Sequence, residues 1–283
     1  MQRLRGFVEL TRPGNALTSG LLTAIGAVVA GTAPTPGLLV DTGALVRAAA
    51  AVLATMLAVG AGNAINDYFD REIDAINRPE RPIPRGAVTP HETLAFAAVQ
   101  FAVAVGLALV LPPLAVAIAV VNLTALVAYT KLFKGLPGVG NAVVGCLGGS
   151  TFLFGGAAVG GALRPVAVLA VLAALATFSR EVIKDVEDIA GDREEGLNTL
   201  PIAVGERRAL QIAMVALVVG VAGSPLPYLL ADFGVAYLVA VAVPDVLMLV
   251  AGYWGFSEPT RSQAWLKYGQ LLAAGAFIVG RFA

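Results

Sequence analysis

The sequence predicts an all-α, polytopic membrane protein that forms a single domain over residues 1–283, and three observations predict it. Of 283 residues, 58% are hydrophobic and only 13% are charged, against roughly 25% charged in an ordinary soluble domain. The apolar residues come in long runs, and a hydrocarbon core of roughly 30 Å takes about 20 helical residues to cross. Those runs are rich in Ala, Val, Leu and Gly, without the apolar–polar alternation of outer-membrane strands. A soluble enzyme of this length would need far more charge on its surface.

Nine spans are expected, at 14–31, 43–66, 92–110, 114–130, 139–160, 165–183, 208–224, 235–255 and 264–282. Pro34 with Pro36, Pro112 with Pro113, and Pro225 with Pro227 mark turns at helix ends. Gly145, Gly148, Gly149, Gly155 and Gly156 suit close helix–helix approach. The charged stretch Met1–Pro13 precedes a run long enough to span, so no cleavable signal peptide is expected.

Basic residues set the orientation. With the N-terminus in the cytoplasm, only Arg47, Arg164 and Arg281 of the 19 Lys and Arg fall outside, as the positive-inside rule asks. The expected location is therefore the cell membrane, multi-pass, with the N-terminus cytoplasmic. Net charge is zero and points to no nucleic-acid partner; no obligatory protein partner is evident. The single cysteine, Cys146, excludes a disulfide framework and a cysteine metal cluster. The single histidine, His91, argues against a multi-histidine site and a Ser-His-Asp triad.

Acidic residues contribute little to topology, yet they gather on the same side in two clusters, 67–80 and 181–195. On a helix continuing past residue 66, Asn63, Asn66, Asp67, Asp70, Asp74 and Asn77 share an arc of about 100°. Glu181, Asp185, Asp188 and Asp192 share about 60°. Like charges stacked at i, i+3 and i+4 destabilise a bare helix, so a counter-charge is expected. Hard divalent cations fit, and Mg²⁺ characteristically takes one or two carboxylates plus phosphate oxygens and water. The bland alternative for each cluster alone is a solvated loop. Two helically phased clusters on one side favour a shared site for metal and diphosphate.

A diphosphate also needs cations. Arg71, Arg78, Arg81 and Arg85 flank the first cluster, Lys131 and Lys134 follow the fourth span, and Arg180 and Lys184 accompany the second cluster. Such groups pair with phosphate oxygens and stabilise charge on a leaving group.

Asn66-Asp67-xx-Asp70-xxx-Asp74 followed by Asn77-Arg78-Pro79-Glu-Arg81-Pro82-Ile83-Pro84-Arg85-Gly86 resembles the first aspartate motif of the UbiA superfamily of intramembrane prenyltransferases. Asp185-xx-Asp188-xxx-Asp192 running into Arg193 and Gly196 is similar to its second. Arg12-Pro13-x-Asn15, the stretch Tyr129 to Lys134, and Gly140-Asn141 match further features, so the resemblance covers essentially the whole chain. It implies helices around a central cavity with a cytoplasmic cap, and transfer of a prenyl group from a prenyl diphosphate to a lipid-like acceptor. It further implies Mg²⁺, two ions in number, held with diphosphate by Asn66, Asp67, Asp70, Asp74, Asp185, Asp188 and Asp192. Asp67, Asp70, Asp188 and Asp192 are the expected catalytic residues. Arg78 and either Lys131 or Lys134 would contact the diphosphate, with Asn66, Arg71, Arg180 and Lys184 as further candidates. Arg12, Asn15, Tyr68, Tyr129 and Asn141 are candidates for the acceptor site or cavity wall. Within the superfamily, the run 180–192 is most similar to the archaeal branch that moves a geranylgeranyl group onto the free hydroxyl of geranylgeranylglyceryl phosphate.

An allylic cation needs shelter from water, and ring faces stabilise it; Tyr68, Phe69, Tyr129, Phe152 and Phe154 are candidates. Asp245, after Pro244 inside the eighth span, is either a hydrogen-bonded partner of the proline kink or a functional group. Competing readings are an aromatic-acceptor prenyltransferase of the same superfamily and a membrane transporter. A transporter should place its ionisable residues at mid-depth, whereas nearly all lie at one face here.

Overall fold

The computed structural model describes residues 2–32 and 41–283. Among them are fourteen α-helices: α1 (Gln2–Leu10), α2 (Pro13–Gly31), α3 (Thr42–Phe69), α4 (Arg71–Asn77), α5 (Pro90–Leu109), α6 (Pro113–Ala128), α7 (Val139–Ala158), α8 (Leu163–Glu187), α9 (Ile189–Glu194), α10 (Leu200–Val204), α11 (Glu206–Ala222), α12 (Leu226–Leu230), α13 (Val235–Trp254) and α14 (Pro259–Phe282). Strands are absent from the described residues, so the all-α expectation holds. The proline turn expected at Pro34 and Pro36 lies outside the described residues.

Each of the nine expected spans is a helix. Six of them are long and apolar enough to cross a membrane: α2, α3, α5, α7, α8 and α13. The other three depart for identifiable reasons. Helix α6 has 16 residues and α11 has 17, short of the roughly 20 that a hydrocarbon core takes. Helix α14 has 24 residues but is interrupted by Lys267, Gln270 and Arg281. The protein is thus a multi-pass membrane protein.

Helix starts follow local chemistry. Thr89 caps α5, its hydroxyl accepting from the Glu92 amide at 3.2 Å while the Glu92 carboxylate accepts from the Thr89 amide at 2.9 Å; this reciprocal box fixes two otherwise unpaired donors. Proline occupies the first turn of α2, α5, α6 and α14, where its missing N–H costs nothing.

Chain neighbours pack as antiparallel pairs, α3 with α5, α7 with α8, and α13 with α14, and α2 lies between α3 and α7. Glycine makes the tightest of these contacts. A Cβ at Gly155 would enter the Thr23 carbonyl of α2, and one at Gly149 would enter the Ala170 carbonyl of α8. Helix α7 therefore lies backbone-to-backbone on both neighbours, the approach that small residues permit in membranes. Polar side chains add links: Ser150 donates to Asn122 at 2.9 Å, and the Thr23 and Thr55 hydroxyls meet at 3.0 Å. The largest core cluster joins α2, α7, α8, α13 and α14 around Ile25, Phe152, Leu169, Tyr237 and Phe277.

Because consecutive helices alternate in direction, the N-termini of α2, α7 and α14 and the C-termini of α3, α6, α8 and α13 share one end of the bundle. Both acidic clusters project from that end.

Candidate active site

The two acidic motifs are built alike. Helix α3 stops at Phe69 and α8 at Glu187, and each continues as a short helix after one residue with nearly the same backbone angles. Asp70 has φ −83° and ψ 3°; Asp188 has φ −92° and ψ 4°. The expected continuous helix is therefore broken at the middle aspartate of each motif. The i→i−4 amide bonds persist across both breaks, Asp74 to Asp70 at 2.8 Å and Asp192 to Asp188 at 2.9 Å, so the carboxylates keep their shared face.

What neutralises the two motifs differs. Asp67 and Asp74 are almost fully buried. Arg12 donates to Asp67 at 2.6 Å, and Arg81 reaches Asp74 at 2.5 Å and Asp67 at 3.4 Å. Burial pushes the Asp74 carboxyl up, against the opposing pull of Arg81. Arg12 sits in the left-handed backbone region, φ 46°, a strained conformation that persists where surroundings over-determine it. Here the constraints are the Asp67 pair and the following Pro13, which opens α2.

Among the described residues, no arginine pairs with Asp185, Asp188 or Asp192. Asn141, buried on α7, donates to Asp185 at 2.7 Å, and Lys184 stands 3.7 Å from Asp188. Burial raises the Asp192 carboxyl, opposed by the nearby Thr199 hydroxyl. One Asp192 oxygen is buried without a hydrogen-bond partner.

Lys134 joins the two motifs, its ammonium 3.4 Å from Asp70 and 3.4 Å from Glu195. Burial alone would lower its pKa, but the Asp70 and Glu195 carboxylates outweigh burial and raise it. The sequence leaves open whether Lys131 or Lys134 does this; the Lys131 side chain, like that of Asn77, lies outside the described residues. A five-residue π-turn, Tyr129–Phe133, carries the chain from α6 to Lys134 and closes with a Lys134 amide to Tyr129 carbonyl bond of 2.9 Å. Such wide turns gather at functional sites. Beside it lies a small polar pocket of about 30 Å³ lined by Tyr129, Lys134, Asn141, Glu181, Lys184, Asp185 and Thr199. Tyr129 feels the charge of Glu181, Asp185, Asp192 and Asp70 together.

Other expected residues fall elsewhere. Asn66 is partly buried beside Asp67, and Arg78 is exposed. Arg71 turns to the Tyr68 carbonyl, at 2.9 Å, and to Glu72, lying 4.8 Å over the Tyr68 ring. Arg180 pairs with Glu181 at 2.5 Å. Asn15 is exposed and accepts from Lys267 at 3.5 Å. Of the aromatic candidates, Phe69 is exposed and Phe154 packs into the core between α3, α6 and α7, because each points away from the mouth. Arg81, expected as one of the phosphate-pairing cations beside the first cluster, is instead bound to Asp74 and Asp67, and Thr199 was not among the expected residues. Arg81 was findable from its place seven residues after Asp74; Thr199 had no local signal.

Every donor in the two motifs is oxygen, which suits a hard divalent cation. Among the described residues no three carboxylates converge into a ready-made cage. A cation that keeps waters and shares phosphate oxygens needs none, and the unpartnered Asp192 oxygen is free to bind one.

The chain matches the UbiA prenyltransferase family over residues 19–278. It is 61% identical to digeranylgeranylglyceryl phosphate synthase of Natronomonas pharaonis over 100% of this chain and 99% of that protein. It is 56% identical to the synthase of that name from Halobacterium salinarum, over 99% of each. Among solved structures, one described as digeranylgeranylglyceryl phosphate synthase in membranes superposes with a TM-score of 0.78 at 34% identity, covering 99% of both chains. A UbiA homologue from Archaeoglobus fulgidus bound to GPP and Mg²⁺ shares the fold, with a TM-score of 0.70 at 17% identity over 98% of this chain and 100% of that one. With the family model matching residues 19–278 and full-length relatives at 56–61% identity, the chain belongs to the UbiA prenyltransferase family.

Proposed function

We propose that this protein transfers a geranylgeranyl group from geranylgeranyl diphosphate to the free hydroxyl of geranylgeranylglyceryl phosphate, forming the second ether bond of archaeal membrane lipids. The observation that carries the reading is Lys134 held between Asp70 and Glu195, a cation between the ends of the two acidic segments. In this reading all nine expected spans cross the membrane, the shorter α6 and α11 included, with the acidic mouth and its cap facing the cytoplasm.

Two Mg²⁺ ions, when bound, supply charge that stabilises the departing diphosphate. Asp185, Asp188 and Asp192 would hold one of them, and Asn66 and Asp70 would hold the other. Lys134, Lys184 and Arg78 bind diphosphate oxygens. Asp67 and Asp74, already paired with Arg12 and Arg81, fix those arginines rather than carry metal alone. The allylic C–O bond breaks with its electron pair leaving on the diphosphate. The acceptor oxygen then bonds to the allylic carbon, and its proton passes to a carboxylate or phosphate oxygen of the mouth. Tyr129 and Tyr68 wall the mouth, and exclusion of water there prevents hydrolysis of the cation.

A transporter reading fits less well, since the ionic network occupies one end of the bundle rather than a path through it. The decisive experiment supplies purified protein with radiolabelled geranylgeranyl diphosphate, Mg²⁺ and a panel of acceptors. The glycerol-phosphate ether is expected to give the highest kcat/KM. A higher value with 4-hydroxybenzoate or a chlorophyllide would overturn the acceptor, and turnover unchanged by EDTA would overturn the metal.

A further inference from the structure

Beside the second motif, one buried hydroxyl is unaccounted for by the fold. Thr199 immediately precedes α10 in an extended conformation, φ −66° and ψ 165°. A threonine at that position ordinarily caps the helix by accepting from its second or third amide. This one makes no such bond: Pro201 has no amide hydrogen to give, and the next amide goes unused. Thr199 is only 5% exposed, and its hydroxyl is buried without a hydrogen-bond partner. Such a group is costly, and valine would fill the same shape without it.

What stands beside the hydroxyl is Asp192. The turn after α9 doubles back on the motif, the Leu197 amide donating to the Asp192 carbonyl at 2.9 Å, and the Asn198 amide donates to the Gly135 carbonyl at 3.3 Å. The two residues before Thr199 are therefore tied to the second motif and to the loop that follows Lys134. Burial pushes the Asp192 carboxyl up, and the Thr199 hydroxyl is the group that most strongly opposes that rise, so the two side chains lie within each other's influence. One Asp192 oxygen is itself buried and unpartnered. Each group lacks what the other supplies, the hydroxyl an acceptor and the carboxylate a donor. Thr199 also lines the small polar pocket with Lys134, Asn141 and Asp185.

We propose that Thr199 is a positioning residue of the metal–diphosphate site: its hydroxyl donates to the inner Asp192 oxygen and sets the orientation in which that carboxylate meets the cation. A carboxylate oxygen has two lone pairs, so this bond leaves one for the metal. Partners of this kind fix the ligands they touch and tune metal affinity. The proposal rests on the reading above that the second motif holds Mg²⁺.

The test compares the full-length wild type with Thr199→Val, Thr199→Ser, Asp192→Asn and the double variant Asp192→Asn with Thr199→Val, all purified in detergent. Two quantities are measured: the Mg²⁺ concentration giving half-maximal geranylgeranyl transfer, and that giving half the thermal stabilisation by Mg²⁺ in the presence of inorganic diphosphate. Thr199→Val should raise both about tenfold and leave kcat at saturating Mg²⁺ within about twofold of wild type. Thr199→Ser, which keeps the hydroxyl, should restore the wild-type values. Without Mg²⁺, the unfolding midpoint of Thr199→Val should move by no more than about 3 °C, the scale of one hydrogen bond in a chain of this size. In the double variant, Thr199→Val should add nothing to the thermal effect of Asp192→Asn, because it acts through that carboxylate. Wild-type Mg²⁺ dependence in Thr199→Val, no rescue by serine, or additive effects in the double variant would each overturn the role of Thr199 while leaving the metal reading intact. Wild-type Mg²⁺ dependence in Asp192→Asn would overturn both.

Discussion

Asp67 opens the first motif and Asp192 closes the second, and their surroundings give them different work. Asp67 has two arginines within 3.4 Å, whereas Asp192 keeps one oxygen unpartnered. Asp70→Asn, Asp188→Asn and Asp192→Asn should each lower kcat at least about a hundredfold, the scale for removing one strong electrostatic contact. Each of the three variants should also raise the Mg²⁺ concentration needed for half-maximal rate, since each removes a carboxylate assigned to one of the two ions. Asn141→Ala, which frees Asp185 from its 2.7 Å partner, should shift that Mg²⁺ dependence about tenfold, the lower end of what outer-shell partners contribute, with a smaller change in kcat. Arg81→Gln strands the buried Asp74 carboxylate while Asp67 keeps Arg12; it should destabilise the protein by on the order of 3 kcal/mol, as breaking a buried pair does, measured as an earlier unfolding midpoint. The aspartates were legible from spacing alone because helical phase is arithmetic. Arg81 and Thr199 were not fully so, because what they touch depends on how the loops 78–89 and 195–199 fold back over the mouth.

At the level of helices, the glycines of α7 are the sharpest test. Gly155→Ala should cost about 1–3 kcal/mol, as overpacking does, because its Cβ has no room against the Thr23 carbonyl. Gly106→Ala in α5 meets nothing within 4 Å and should be neutral or slightly stabilising through helix propensity. Comparing the two in thermal unfolding in detergent separates packing from propensity. Long apolar helices were legible because bilayer thickness and 1.5 Å per residue set their length. The breaks at Asp70 and Asp188 and the π-turn before Lys134 were not, since no proline or apolar run announces them and tertiary contact decides them; the short helices α1, α10 and α12 span too few residues for a helical period to show.

For the molecule as a whole, orientation is the open quantity that the charge distribution answers. With Cys146 replaced by Ser, a cysteine at 83 or 196 should react with a membrane-impermeant maleimide only from the cytoplasmic side. A cysteine replacing Arg164, exposed in the first turn of α8 at the opposite end, should react only from outside. Reaction of both motif loops from outside would reverse the assignment. The glycine contacts bear on this same architecture as a matter of leverage. Gly155 and Asn141 stand fourteen residues apart on one rod, about 21 Å. A wedge that tilted α7 by about 5° at Gly155 would swing Asn141, and the Asp185 it holds, by about 2 Å. Misplacement of about 1 Å can cost a hundredfold in rate. A single methyl group far from any charge can therefore silence the chemistry, and the missing side chains of α7 serve as the fulcrum that keeps the reacting end in register.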